Sequence, residues 1–197
     1  MKLYYSPGAC SLSPHIVASE LGLPLTLVKA DVRKKVLENG DSFTAINPKG
    51  QVPTLQLDNG QVLTEGPAIV QYLASLKPES KMIPEGFAKF QQLEWLNFIT
   101  SELHKGYSPL FRDNTEEVKT AARANLTSKF NYLETALTKN TYLMGDTFTC
   151  ADAYLFTVLS WSGHVKLELP KFVSEYLGRV SARPAVQAAM KAEGLTK

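Results

Sequence analysis

Near residue 80 the hydrophobic period of this chain changes, and that change constrains the fold more than any single motif. Before it, short strand-like runs at 3–5 and 25–30 flank a helical pattern at 13–21. Ser13 can cap that helix, Pro14 suits its first turn and Gly22 can end it. Residues 31–46, with Arg33, Lys34 and Lys35, follow no clear period. The runs 54–57 and 61–64 then flank Asp58-Asn59-Gly60, a strong hairpin signal because Asn and Gly both tolerate positive φ. Ala68, Ile69, Tyr72, Leu73 and Leu76 recur at helical spacing after it. The expected order is βαβ followed by ββα, an α/β domain over 1–78. A linker over 79–86 carries Pro84 and Gly86. Beyond it the pattern is helical, giving an expected all-α domain over 87–197.

In that second half Phe90, Leu93, Leu96 and Leu103 trace an apolar stripe on a long helix. Further helices are expected over 118–137, 151–165, 170–180 and 184–192. Thr149 and Asp152 have capping-box spacing, a folding signal to which we assign no catalytic role.

Composition removes several classes of function. The 44% hydrophobic content supports a globular core, and a net charge of +2 gives no electrostatic footprint for nucleic acid. No run approaches the length of a transmembrane helix, and the N-terminus lacks the apolar core of a secretory signal. The two cysteines, Cys10 and Cys150, offer neither a disulfide framework nor zinc-ligand spacing, so no metal site is expected and a reducing, cytoplasmic compartment fits.

Several residues can carry chemistry. Cys10 and Ser11 stand just before the first helix, where unpaired amides favour a thiolate or an anion; an inert packed cysteine is the competing reading. Ser13 stands where a Cys-x-x-Cys pair would need its second cysteine, so a dithiol cycle within this loop is unavailable. Pro53 precedes a strand; a cis Val52-Pro53 bond would turn the Val52 backbone toward a peptide ligand, whereas a trans bond makes it a turn proline. Glu65 and Gly66 open a helix: the carboxylate can take an ammonium and the amide a carboxylate, although Glu65 also suits simple helix-dipole compensation. Asn97, Ser101, His104 and Ser108 are spaced four, three and four, which on a regular helix forms one polar stripe, a ligand face or a solvated one. Lys35 is a solvated lysine unless a carboxylate-bearing ligand lies nearby.

Six segments in register resemble one family: Ser-Pro-Gly-Ala-Cys-Ser at 6–11, Asn-Pro-Lys-Gly-Gln-Val-Pro at 47–53, Thr-Glu-Gly at 64–66, Glu-Trp-Leu-Asn at 94–97, Glu-Leu-His-Lys-Gly at 102–106 and Ala-Asp-Ala-Tyr-Leu-Phe at 151–156. Together they resemble the bacterial beta class of glutathione transferases, end to end. The resemblance implies a thioredoxin-like N-terminal domain, an all-helical C-terminal domain and a homodimer. It implies conjugation of the glutathione thiol to hydrophobic electrophiles, with glutathione as co-substrate, no separate cofactor, and thiol–disulfide exchange as a second activity. By position it implies Cys10 beside the glutathione sulfur with Ser11 adjoining, Lys35 at the glycyl carboxylate, and Val52 before Pro53 bonding the cysteinyl backbone. Glu65 and Gly66 would hold the γ-glutamyl end. Asn97 and the run Ser101, Glu102, Leu103 and His104 would supply further contacts, with His104 near the sulfur. Many other soluble classes carry serine where Gly66 stands, so a hydroxyl contact is absent here. A non-enzymatic ligand-binding protein on the same fold and a glutaredoxin-like reductase are the alternatives.

Overall fold

The computed structural model describes residues 1–196 and divides into two compact units. The first combines Met1–Ser80 with residues 183–196; the second is Lys81–Ala182. This corrects the expected boundary at the C-terminal end: the last helix belongs with the α/β unit. The physical reason is packing, because that helix covers the first one and Glu193 behind it is buried against the same unit.

The first unit follows the expected order with one added strand. β1 (Lys2–Tyr5), α1 (Leu12–Glu20), β2 (Thr26–Asp31) and the short β3 (Val36–Leu37) are followed by β4 (Thr54–Gln56), β5 (Val62–Thr64) and α2 (Gly66–Ser75). The sheet runs β3-β2-β1-β4-β5, with β1 parallel to β2 and the remaining pairs antiparallel. Leu3 pairs Leu27 on one side and Leu55 on the other, so the middle strand is covered on both edges. Gly60, at φ +86°, makes the hairpin turn that the Asn-Gly pair signals. β3 closes the stretch that had no readable period, and Leu37 and Phe43 pack with Tyr4 and Ala30 into a small core. The helix α8 (Pro184–Ala192) completes this unit, starting on its proline as expected.

The cap of α1 falls two residues earlier than its sequence suggests. Ser11 occupies the cap position without a side-chain cap bond, and Ser13, expected as the cap, instead donates from Oγ to the Cys10 carbonyl at 2.8 Å. Gly22 sits just past the end at φ +62°, where a side chain would be strained.

The second unit is helical. α3 (Phe87–Phe98) runs through a π-helical turn (Ile99–His104) into the short α4 (Lys105–Tyr107), followed by α5 (Glu116–Leu137), α6 (Cys150–Leu159) and α7 (Lys171–Ser181). The π turn has a local cause. Thr100 and Ser101 each return a hydroxyl to a carbonyl four residues back, Leu96 at 2.7 Å and Asn97 at 3.0 Å, which competes with the regular backbone ladder. The expected apolar stripe is corrected accordingly. Leu96 and Leu103 are fully buried, with Ile99 between them, but Phe90 is 65% exposed and Leu93 also faces outward. Among the described residues no helix is long and apolar enough to cross a membrane.

Candidate active site

The loop 47–53 organises the candidate site of the first unit. Asn47 holds it from beneath, its side-chain amide donating to the Gln51 carbonyl at 2.8 Å and to Thr54 Oγ1 at 2.9 Å. The Val52-Pro53 bond is cis, and the Cys10 thiol donates to the Val52 carbonyl at 3.2 Å. Lys35, at φ +61°, lays its side chain across Gly50 and donates from Nζ to the Gly50 carbonyl at 2.6 Å. A Cβ at Gly50 would lie 2.6 Å from the Lys35 chain, so this approach needs glycine. Lys49 is ion-paired with Glu65 and donates to Thr64 Oγ1 at 2.8 Å. One seven-residue loop thus touches Cys10, Lys35 and Glu65, three residues scattered through the sequence.

Glu65 caps α2 at φ +73°, with Gly66 buried behind it at the first helical position. The exposed carboxylate and the helix-start amide therefore stand side by side, an arrangement that suits a ligand with one ammonium and one carboxylate. Cys10 is half-buried ahead of α1, within reach of that helix's positive end. Ser11 behaves differently from expectation. Its side chain is fully buried, accepting from the Ser6 amide at 3.1 Å and donating to the Ser6 carbonyl at 3.2 Å, so it ties the loop ahead of Cys10 and presents no hydroxyl to a ligand.

The remaining candidates lie in the second unit, and the π turn separates them. Asn97 and Ser101 are exposed, whereas His104 is half-buried against aromatic rings, so the expected single stripe is broken. Leu103, expected as a contact, is fully buried core. Glu102 is engaged by Lys129 at 2.8 Å. Sequence reasoning placed His104 without its surroundings: Nδ1 lies 2.7 Å from the Tyr154 hydroxyl, and the Trp161 ring crosses it edge-on at 5.0 Å. Tyr154 sits in one of the six family segments, which was the available signal; nothing local marked Trp161. A cavity of 590 Å³ in this unit lies elsewhere, lined by Trp95, Phe98, Lys129 and Tyr132 rather than by His104.

Burial pushes the His104 imidazole down to about 4, with the neighbouring Lys105 adding to the shift, so the ring is neutral at physiological pH. When Tyr154 donates to Nδ1, Nε2 bears the hydrogen and His104 is an uncharged donor. A folded-state value below the unfolded one makes this contribution to stability complete above about pH 6.5 and lost as pH falls toward 4, because only the unfolded chain takes the proton in that window. Urea unfolding at pH 7 and pH 5 is expected to show the parent losing about 2 kcal/mol more than His104→Asn over that interval. Equal losses would place the ring in a more solvated setting.

Cys150, by contrast, is inert. It is fully buried beside Gln92, and burial pushes its thiol up to about 12. Among the described residues no group of three or more His, Cys, Asp or Glu side chains can hold a metal ion.

Comparisons with known proteins bear on the family and the fold. Residues 8–76 match the family model for the glutathione S-transferase N-terminal domain, and residues 98–188 match that for the C-terminal domain. The chain is 50% identical over 200 residues to the glutathione S-transferase GstA of Escherichia coli O157:H7, covering 99% of this chain and all of the relative. It superposes on a ternary complex of BphK, a bacterial glutathione S-transferase, with a TM-score of 0.97 at 48% identity, covering 99% of this chain and all of that one. The beta-class enzyme of Sphingomonas chungbukensis gives a TM-score of 0.95 at 40% identity, with both chains fully covered. With a thioredoxin-like sheet carrying a cysteine at the first helix start, a helical second domain and full-length relatives of this kind, the chain belongs to the glutathione S-transferases and, within them, to the bacterial beta class.

Proposed function

We propose that this protein joins the thiol of reduced glutathione to hydrophobic electrophiles. The observation that carries the reading is the loop 47–53, which contacts Cys10, Lys35 and Glu65 together. Glutathione is a tripeptide with two carboxylates, one ammonium and one thiol. Lys35 faces its glycyl carboxylate, the Val52 backbone bonds its cysteinyl residue, and Glu65 and Gly66 hold its γ-glutamyl end. Its sulfur then lies by Cys10 at the α1 start, where the helix dipole and nearby donors favour the thiolate. The thiolate attacks the electrophilic carbon: the S–C bond forms, and the electron pair leaves with the departing group or moves into a conjugated acceptor. Asn97, Ser101, Glu102 and His104 are further contacts in this reading, His104 as a neutral donor to the sulfur or the electrophile.

Cys10 supports thiol–disulfide exchange as a second activity of the same site. Steady-state conjugation of an aryl halide and reduction of a glutathionylated peptide, each measured on the parent and on Cys10→Ala, test both. The variant is expected to lose exchange by at least about tenfold while keeping most of its conjugation. Undiminished exchange would remove Cys10 from the mechanism, and a parent inactive in both assays would leave a binding protein.

The functional unit in this reading is a homodimer in the cytoplasm. α3 presents Phe87, 76% exposed, with Phe90 and Leu93 in succession, an apolar face that a second copy would cover.

A further inference from the structure

Lys49 was not among the residues that sequence reasoning selected, yet it is ion-paired with Glu65 at the proposed γ-glutamyl site. Its ammonium has three N–H donors. One goes to Glu65 and one to Thr64 Oγ1, and the third has no partner among the described residues. The pair lies on the rim of the unit, Lys49 being 49% and Glu65 64% exposed, and only one Glu65 oxygen, Oε1, is engaged. An incoming ligand therefore finds a free carboxylate oxygen and a free ammonium N–H side by side, anchored at the start of α2.

Resting on the reading that Glu65 and Gly66 hold the γ-glutamyl end, we propose that Lys49 binds the α-carboxylate of that end, so that Lys49 and Glu65 act as one dipolar receptor for a free α-amino acid group. Without Lys49, the ligand carboxylate would meet a single amide while lying beside the negative charge of Glu65. With it, each ligand charge faces its opposite and each receptor charge keeps its internal partner. The backbone supports this. Lys49 donates its own amide to Asn47 Oδ1 at 3.1 Å, and Glu65 is fixed at positive φ, so neither charge depends on its side chain alone for position. The specificity that results is for the intact zwitterion: amidating the carboxylate removes the negative charge that Lys49 pairs with, and acylating the amine removes the positive charge that Glu65 pairs with.

Calorimetric titration of the full-length protein separates the possibilities. Reduced glutathione and its analogue with the γ-glutamyl α-carboxylate amidated are titrated into the parent, Lys49→Met and Lys49→Arg. For glutathione, Lys49→Met is expected to raise Kd about tenfold, the size of a partly exposed charge-assisted hydrogen bond, about 1.4 kcal/mol. For the amide analogue, Kd is expected to be the same for Lys49→Met and the parent within about twofold, and Lys49→Arg is expected to recover most of the affinity for glutathione. Tighter glutathione binding by Lys49→Met would make Lys49 a competitor for Glu65 and overturn the proposal, as would an equal penalty for both ligands. A parent that takes up no glutathione at millimolar concentration overturns the Glu65 reading itself, an outcome seen without any variant.

Discussion

Asp152→Ala is expected to destabilise the helical unit by about 3–5 kcal/mol, more than any other single change in that unit considered above. The carboxylate is fully buried at the start of α6 and accepts from four donors: the Thr149 amide and hydroxyl, each at 2.8 Å, the Leu143 amide at 2.9 Å and the Tyr176 hydroxyl at 2.9 Å. It closes the capping box of α6 and also ties the preceding loop and α7 to that helix start. Burial raises its pKa, and the four hydrogen bonds work against that shift. Alanine leaves buried donors without an acceptor, and the Tyr176 hydroxyl keeps only the Asp152 carbonyl at 3.3 Å. Urea unfolding of the parent, Asp152→Ala and Asp152→Asn, with midpoints compared at constant m, provides the measurement. Asparagine is expected to recover part of the loss, since its amide oxygen can still accept. A loss below about 1 kcal/mol for alanine would mean that water replaces the carboxylate and that the network does not hold this unit together.

Glu193→Ala is expected to cost the α/β unit about 3 kcal/mol, because it breaks a buried pair by removing one side of it. The Glu193 side chain is fully buried; Oε1 lies 2.9 Å from His15 Nδ1 on α1, and Oε2 accepts from the Gly8 amide at 3.0 Å. Two oxygens from the C-terminal stretch therefore hold both the first helix and the turn that leads to Cys10. Beside them Leu195 packs against Gly8, whose φ of +69° and 3.3 Å clearance leave no comfortable room for a side chain. Glu193→Gln keeps an acceptor for the Gly8 amide and loses the charge facing His15, so it is expected to fall between alanine and the parent. Thermal unfolding of the three proteins at pH 7 checks the order. Equal midpoints for parent and alanine would show that the C-terminal stretch packs on the first unit without anchoring it.

The two clamps illustrate how differently the sequence displays such features. The Asp152 box was readable because its partners lie three residues apart, and a helix start is a local event governed by unpaired amides. The Glu193 clamp was not, because its partners are 178 and 185 residues away and nothing in its neighbourhood distinguishes a buried glutamate from a solvated one. The candidate site divides in the same way. Cys10 at a helix start, the proline after Val52 and the Glu65-Gly66 pair each carry a backbone signal. Lys49 stood in plain view within a family segment, but its partnership with Glu65 depends on how a loop folds against a hairpin.

Local chemistry was thus legible in the residues: the hairpin at Asn59-Gly60, the helix ends at Gly22 and Pro184, the capping box at Thr149 and the division near residue 80 all rest on interactions within a few positions along the chain. The placement of α8, the burial of Ser11 and Leu103, the outward face of Phe90 and the turning of His104 toward Tyr154 belonged to the folded molecule alone. Each depends on distant groups competing for the same space or the same hydrogen bond, and in the π turn a shift in the backbone ladder was enough to move His104 off the stripe that its spacing implied.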